Sequence, residues 1–154
     1  MKKSAGILLY RLKNTLPEFF LVHPGGPFWK NKDAGAWSIP KGEFEDDEDP
    51  LEAAKREFKE ETGLACNGKF LPLDPVKLKS GKQVFAWALL KDIDPDRIRS
   101  NTFKLEWPPK SGKMLEVPEI DKGGWFGYEA AKEKINPSQS AFLDQLIIKL
   151  TLSK

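Results

Sequence analysis

Residues 42–64 read GEFEDDEDPLEAAKREFKEETGL. Asp49 is a suitable N-cap, Pro50 suits a first helical position, and Glu52 follows Asp49 by three residues, as in a capping box. Gly63 is a natural residue just past a helix end. The spacing therefore predicts a helix over 50–62, with Leu51, Ala54 and Phe58 as its apolar stripe. On that helix Glu57, Glu60 and Glu61 fall at i, i+3 and i+4 and share one face, away from the centre of the stripe. Like charges at those spacings destabilise an isolated helix. Ala53, one turn before Glu57, leaves room beside it. Hard oxygen donors a few ångströms apart suit Mg2+ or Mn2+, which would relieve the repulsion. Mg2+ is usually held by a few carboxylates, with phosphate and water completing its shell.

The surrounding composition frames this acidic stretch. The chain has 154 residues, 40% of them hydrophobic and 31% charged, which suits one folded domain with a sizeable core rather than a disordered chain. The net charge of +2 hides an asymmetry: residues 43–61 hold ten acids and three bases, the remainder 13 acids and 22 bases. A cation-binding patch facing an anionic substrate gives this pattern, although charge alone favours a solvated acidic helix. One cysteine, Cys66, excludes an internal disulfide and fits a reducing cytoplasm. One Cys and one His cannot fill a zinc shell. No stretch approaches a membrane span, and the opening MKKSAGILLYRLKN lacks a signal-peptide cleavage site, so a cytoplasmic protein without a membrane partner is expected.

Outward from the helix, SAGILLYRL (4–12) and EFFLVH (18–23) read as strands joined by a polar turn at Asn14–Pro17. PGGPFWKNKDAGAW (24–37) is a Gly/Pro loop of the kind that often carries function, and WSIP (37–40) a brief strand. GKFLPL (68–73) and VKLKSGKQVFAWALL (76–90) read as strands, the latter turning at Ser80–Gly81. TFKLEW (102–107) is a strand stopped by Pro108–Pro109, and GGWFGY (123–128) a short strand or turn. EAAKEKI (129–135) and SAFLDQLIIKL (140–150) read as helices, the second started by Pro137 and Ser138. Strands, helix, strands, helices is the order of one mixed α/β (α+β) domain, not of an alternating doubly wound fold.

The stretch 42–64 also resembles the Nudix box, at Gly42, Glu48, Arg56-Glu57-Phe58, Glu60-Glu61, Gly63 and Leu64; Phe58 stands where an aliphatic residue is usual. The match of so many positions over 23 residues is specific. The resemblance implies a Nudix fold, a mixed sheet sandwiched between helices with the box as loop-helix-loop, here one domain over 1–154. It implies hydrolysis of a phosphoanhydride bond by water attack at phosphorus, with Mg2+ (or Mn2+) as cofactor. Such metals neutralise charge growing on phosphoryl oxygens and lower the pKa of bound water.

Carried over by position, Glu57, Glu60 and Glu61 are expected metal ligands, and Glu57 or Glu60 the general base. Arg56 is expected to orient the glutamates through pairs with Glu52 and Glu60. Gly42 would let the backbone turn close to the metal. Glu48 would support the helix or Arg56, unless it is a solvated loop acid, and Gly63 completes the box. The family often supplies a further carboxylate ahead of a late tryptophan strand; Glu119 before Trp125 fits, with Glu116 behind it in rank.

WSIPKGE (37–43) resembles the entry to the box in dinucleoside polyphosphate hydrolases, where Pro40 would shape the loop and Lys41 approach a phosphate. The same stretch occurs in RNA 5′-pyrophosphohydrolases and diphosphoinositol polyphosphate hydrolases. With HPGGPFWKNKDAGAWSIPKGE (23–43), PEIDKGGWF (118–126) and a final FLDQL (142–146), nearly the full length looks most like bacterial predicted NTP pyrophosphohydrolases of the family. The expected substrate is a nucleoside polyphosphate, foremost a diadenosine tetraphosphate-like dinucleotide yielding ATP and AMP. The alternatives are a MutT-type (d)NTP pyrophosphohydrolase removing oxidised nucleotides and a non-catalytic nucleotide-binding module. No stable nucleic-acid partner is expected, and either a monomer or a homodimer fits. Phe28 and Trp29, beside Lys30 and Lys32, are candidates to stack on a base. Phe85 and Trp87 are expected in the core and His23 in a structural role. Lys79, Lys82, Arg97, Arg99 and Lys104 either steer polyphosphate or are ordinary solvated charges.

Overall fold

The computed structural model describes residues 2–152, so the ends of the expected 1–154 domain lie outside the described residues. The organising element is β1 (Lys3–Lys13), whose run from Ser4 to Tyr10 is buried on both faces. It pairs in parallel with β5 (Gln83–Leu90) on one edge. Its other edge is shared by two antiparallel partners. β3 (Lys41–Phe44) takes Lys3–Gly6, and β2 (Leu16–Pro24) takes Tyr10–Lys13. β4 (Leu71–Lys77) and β8 (Ile120–Gly127) complete a six-stranded mixed sheet in the order β4-β5-β1-β2-β8, with β3 beside β1.

Each face of the sheet buries a separate apolar cluster, and alternation along β1 explains why. Ala5, Ile7 and Leu9 point toward α1 (Pro50–Thr62) and its Ala53, Ala54 and Phe58. Leu8 and Tyr10 point to the opposite side, where α3 (Ser140–Leu152) contributes Phe142, Leu143 and Leu146. The short α2 (Tyr128–Lys134) adds Ala131. The result is a mixed sheet between helices, as expected.

Helix α1 has the predicted bounds for the predicted reasons. The Asp49 carboxylate accepts the Glu52 N–H at 3.1 Å, a cap that stabilises by about 1 kcal/mol. Gly63 ends the helix at φ 77°, its N–H donating to the Lys59 carbonyl at 2.7 Å. A Cβ at Gly63 would also sit 2.7 Å from the Arg99 carbonyl oxygen, so the crossing segment 97–101 demands glycine independently.

Four local expectations need correction. WSIP forms no strand: Trp37 and Ser38 make only single bridges, to Ile135 and Val22. The Gln139 side chain, buried in the turn just before α3, accepts the Ile39 N–H at 3.1 Å where a neighbouring strand would otherwise do so, and the strand forms later, as β3. The strand expected from Gly68 begins at Leu71 and runs through a register shift between Leu73 and Val76. β7 (Met114–Pro118) was not anticipated, because it is exposed apart from Val117 and lacks an alternating core face. It pairs with β6 (Thr102–Glu106) as a separate two-stranded arm. Finally, Phe85 and Trp87 are half-buried at the margin of the α1-side cluster, not inside it.

Candidate active site

The junction of β3 with α1 brings the box together. In register, Gly42 faces Ala5 of β1. Its bare α-carbon then lies against the Glu57 carboxylate: a Cβ there would come within 2.0 Å of Oε2 and 2.1 Å of Cδ. The backbone of Gly42 is not in the left-handed region. The glycine is therefore required for close approach and not, as expected, for a turn.

Glu57 is 8% exposed, the most buried acid of the group. Arg56 reaches Glu57 through Nη1 at 2.8 Å and Glu60 through the same nitrogen at 3.3 Å. Its Nη2 pairs with Glu48 at 3.1 Å. Arg56 thus gathers Glu48, Glu57 and Glu60, as expected for Glu48 and Glu60. The expected Glu52 partner pairs instead with Lys55 at 3.4 Å, while Arg56 is taken up by Glu48, Glu57 and Glu60.

On the other side of Glu57, the Glu61 carboxylate accepts the backbone N–H of Lys41 at 3.2 Å. The acids are close enough for one's charge to shift another. Burial pushes Glu61 up to about 8, with the charges of Glu119 and Glu57 adding to it. Burial raises Glu57 as well, followed by the charge of Glu60, with Glu119 contributing. Burial and then the charge of Glu60 raise Glu119. So Glu119, distant in sequence, joins the three helix acids, while Glu116 lies out on the arm and accepts the Thr102 hydroxyl at 2.7 Å. Burial, then the charge of Lys82, lowers the Lys41 ammonium from its usual value.

The donor set suits a hard divalent cation. Burial and neighbouring negative charge raise Glu57, Glu61 and Glu119, and the backbone beside Glu57 is held close by a glycine that a Cβ would spoil. Among the described residues no three acidic, imidazole or thiolate groups already stand grouped as a metal centre. Arg56 and the Lys41 N–H hold the carboxylates in their present positions.

The loop 24–37 lies beside this cluster. Gly25 N–H donates to the Glu119 carbonyl at 3.0 Å. Phe28 is 53% exposed, edge-on to a partly buried Trp29, with the Lys32 ammonium 4.1 Å from its centroid. His23 is structural, as expected, and anchors this loop. Fully buried, it places Nδ1 2.9 Å from Asp121 Oδ1 and Nε2 2.6 Å from the Lys32 carbonyl, with its ring edge on Trp37. Gln139 and His23 are supporting residues that the sequence reading missed or left unspecified. Each acts across a long sequence separation, and no local pattern marks such a partner. Lys82 pairs with Glu43 at 3.2 Å, and the Arg99 guanidinium donates to the Ile98 carbonyl at 2.7 Å.

A family model described as the NUDIX domain matches residues 2–146. Over 96 residues, 59% of this chain, the sequence is 30% identical to mRNA decapping complex subunit 2 of Schizosaccharomyces pombe. Over 101 residues, 66% of this chain, it is 31% identical to a Myxococcus xanthus protein named octanoyltransferase. These matches span only 12% and 25% of the two relatives. Among solved structures, an Ap4A hydrolase binary complex from C. elegans is similar at a TM-score of 0.65 and 22% identity, covering 98% of each chain. A mutT/nudix family protein from Listeria innocua is similar at 0.64 and 17%, covering 99% of this chain and 95% of that one. The NUDIX domain of Shewanella oneidensis NrtR complexed with ADP ribose is similar at 0.63 and 13%, covering 96% and 87%. At these identities the structural likeness is one of fold.

Proposed function

The chain belongs to the Nudix family, and on that premise we propose that it acts as one domain that hydrolyses a phosphoanhydride bond of a nucleoside polyphosphate. The observation that carries the reading is the packing of Gly42 onto the Glu57 carboxylate within a group of four neighbouring acids. Burying like charges together is unfavourable unless a cation joins them. Glu57, Glu60, Glu61 and Glu119 would hold Mg2+ or Mn2+. When bound, that ion would neutralise charge on the phosphoryl oxygens and acidify water.

The chain's own residues do the rest. Arg56 Nη1 bridges Glu57 and Glu60 and fixes their orientation. Glu48 holds the far side of the guanidinium. Glu57 or Glu60, both held by Arg56 Nη1, would take the proton from water. Lys41, whose backbone N–H holds Glu61, would approach a phosphate, whose charge would offset the burial that disfavours its ammonium form, and Phe28 and Trp29 offer rings to a base. The loop placed by His23 and Asp121 sets where those rings stand.

The substrate reading is a dinucleoside polyphosphate of the diadenosine tetraphosphate kind. It is supported by WSIPKGE and by likeness of fold to the C. elegans Ap4A hydrolase. The test is a nucleotide-library hydrolysis screen with Mg2+ and Mn2+, products read by mass. ATP plus AMP from the dinucleotide supports the reading. A monophosphate plus pyrophosphate from triphosphates alone assigns a MutT-type activity, and tight binding without turnover of any nucleotide assigns a binding module.

A further inference from the structure

The β6–β7 arm is rooted in the acid group. Asn101 N–H donates to the Glu60 carbonyl at 2.8 Å, and Glu119 N–H donates to the Asn101 carbonyl at 2.8 Å. The arm therefore leaves from the backbone of one candidate ligand and returns at another. Cross-strand pairs Phe103–Val117 and Leu105–Leu115 place four apolar side chains on one face. That face turns toward the loop carrying Phe28. A Cβ on Gly26 would lie 3.7 Å from Val117 Cγ2 and 3.9 Å from Leu105 Cδ2. A Cβ on Gly25 would strike the Pro118 carbonyl at 2.2 Å. Loop and arm meet at their roots through glycine, and there Val117 is covered. Leu105 is partly buried against the loop, while Phe103, across from Val117, is 40% exposed and Leu115, across from Leu105, 41%.

We propose that the apolar face of this arm, through Phe103 and Leu115, forms the second wall of the nucleoside site, opposite Phe28, and takes the planar base of a nucleotide whose phosphates run to the acid group. The proposal rests on the nucleotide-hydrolase reading and extends it to residues outside the box. Three observations select this occupant. The bare face is continuous with the acid group through the Asn101 and Glu119 hydrogen bonds. Lysines lie around it: Lys32 lies over Phe28, and Lys110 and Lys113 lie in the turn at the far end of the arm, so an anion attached to the occupant is favoured. And a five-residue strand reaches about 17 Å from its root, room for one nucleoside and part of a phosphate chain.

The test is F103S/L115S, substitutions on an exposed hairpin, with F103W as a second variant that keeps a stacking ring. KM for the best nucleotide substrate is measured together with equilibrium binding, in Mg2+, of ADP and of base-free pyrophosphate. The expected result is that F103S/L115S raises KM and the ADP Kd about tenfold and leaves pyrophosphate binding within twofold, while F103W stays near wild type. Unchanged KM and ADP binding overturn the proposal and leave the hydrolase reading intact, as does an equal loss of pyrophosphate binding. A change confined to the oligomeric state on gel filtration makes the face a contact between copies and also overturns it. If the wild type hydrolyses no nucleotide but binds ADP through the arm, the proposal stands and the hydrolase reading falls. If the wild type does not bind ADP, both fall.

Discussion

Gly42→Ala isolates the placement of Glu57 from every other property of the site. The substitution adds one methyl group, and the Gly42 backbone is outside the region that only glycine favours, so the chain path tolerates alanine. What it does not tolerate is the neighbour: the new Cβ would lie 2.0 Å from Glu57 Oε2, where ordinary contact begins at 3.4 Å. The carboxylate must therefore retreat by at least about 1.4 Å, and its 2.8 Å pair with Arg56 stretches or breaks. Misplacing a reacting group by about 1 Å costs on the order of 100-fold in rate. The expected outcome is a loss of at least that size in kcat/KM with Mg2+, on the nucleotide the screen selects. Thermal stability should change far less than activity, because Arg56 keeps its pairs with Glu48 and Glu60 when Glu57 is displaced. A loss of 1 kcal/mol would lower Tm by roughly 2–4 °C in a chain of this size. The double-mutant cycle with Glu57→Asp sharpens the test: the shorter side chain withdraws from the methyl, so Gly42→Ala should cost far less in that background. Activity of Gly42→Ala within threefold of wild type, or a full methyl penalty in the Glu57→Asp background, would refute the steric argument.

Glu57→Gln and Glu60→Gln should each abolish turnover and leave the circular dichroism spectrum and melting transition intact; near wild-type rates in both would remove the acids from the metal assignment. Phe28→Ala and Trp29→Ala should raise KM for nucleotides, and an unchanged KM would leave both rings a packing role only. Burial raises Glu61 to about 8 in the metal-free protein, so the folded state favours the protonated acid. That stabilisation is fully present below the unfolded value of 4.5 and is lost as pH rises through about 8. Melting in chelator from pH 5 to 9 should accordingly show a fall in Tm that Glu61→Gln flattens; identical slopes in the two proteins would contradict it.

Where the expectations succeeded and where they failed divides along sequence distance. Helix α1 was legible because its signals are local: a cap at Asp49, a proline at the first turn, a glycine past the end. β1, β2 and β5 were legible because β-branched, leucine and aromatic runs mark buried strands. β7 was not, since an exposed strand with one buried residue has no periodic face to read. WSIP misled for a related reason. Its apolar residues are buried, as in a strand, but its Ile39 N–H is satisfied by a glutamine a hundred positions away. At the site, the clustering of Glu57, Glu60 and Glu61 followed from helical period alone. The choice among the expected partners of Arg56 did not, because i, i+4 spacing makes Glu52 and Glu60 equally available, and it is the path of residues 44–49 that brings Glu48 within 3.1 Å.

By itself, then, the sequence determined a capped helix with three acids on one face and a box that places the chain in its family. Those properties depend on residues within a turn or two of one another, where geometry follows from spacing. Only the tertiary structure decided why residue 42 must be glycine, that Glu119 joins the acids, that His23 anchors the aromatic loop, and that a bare apolar arm springs from the acid group. Each of these depends on the register of β3 on β1 and on the crossing of segments far apart in the chain, and such registers are set by the packing of the whole sheet between its helices.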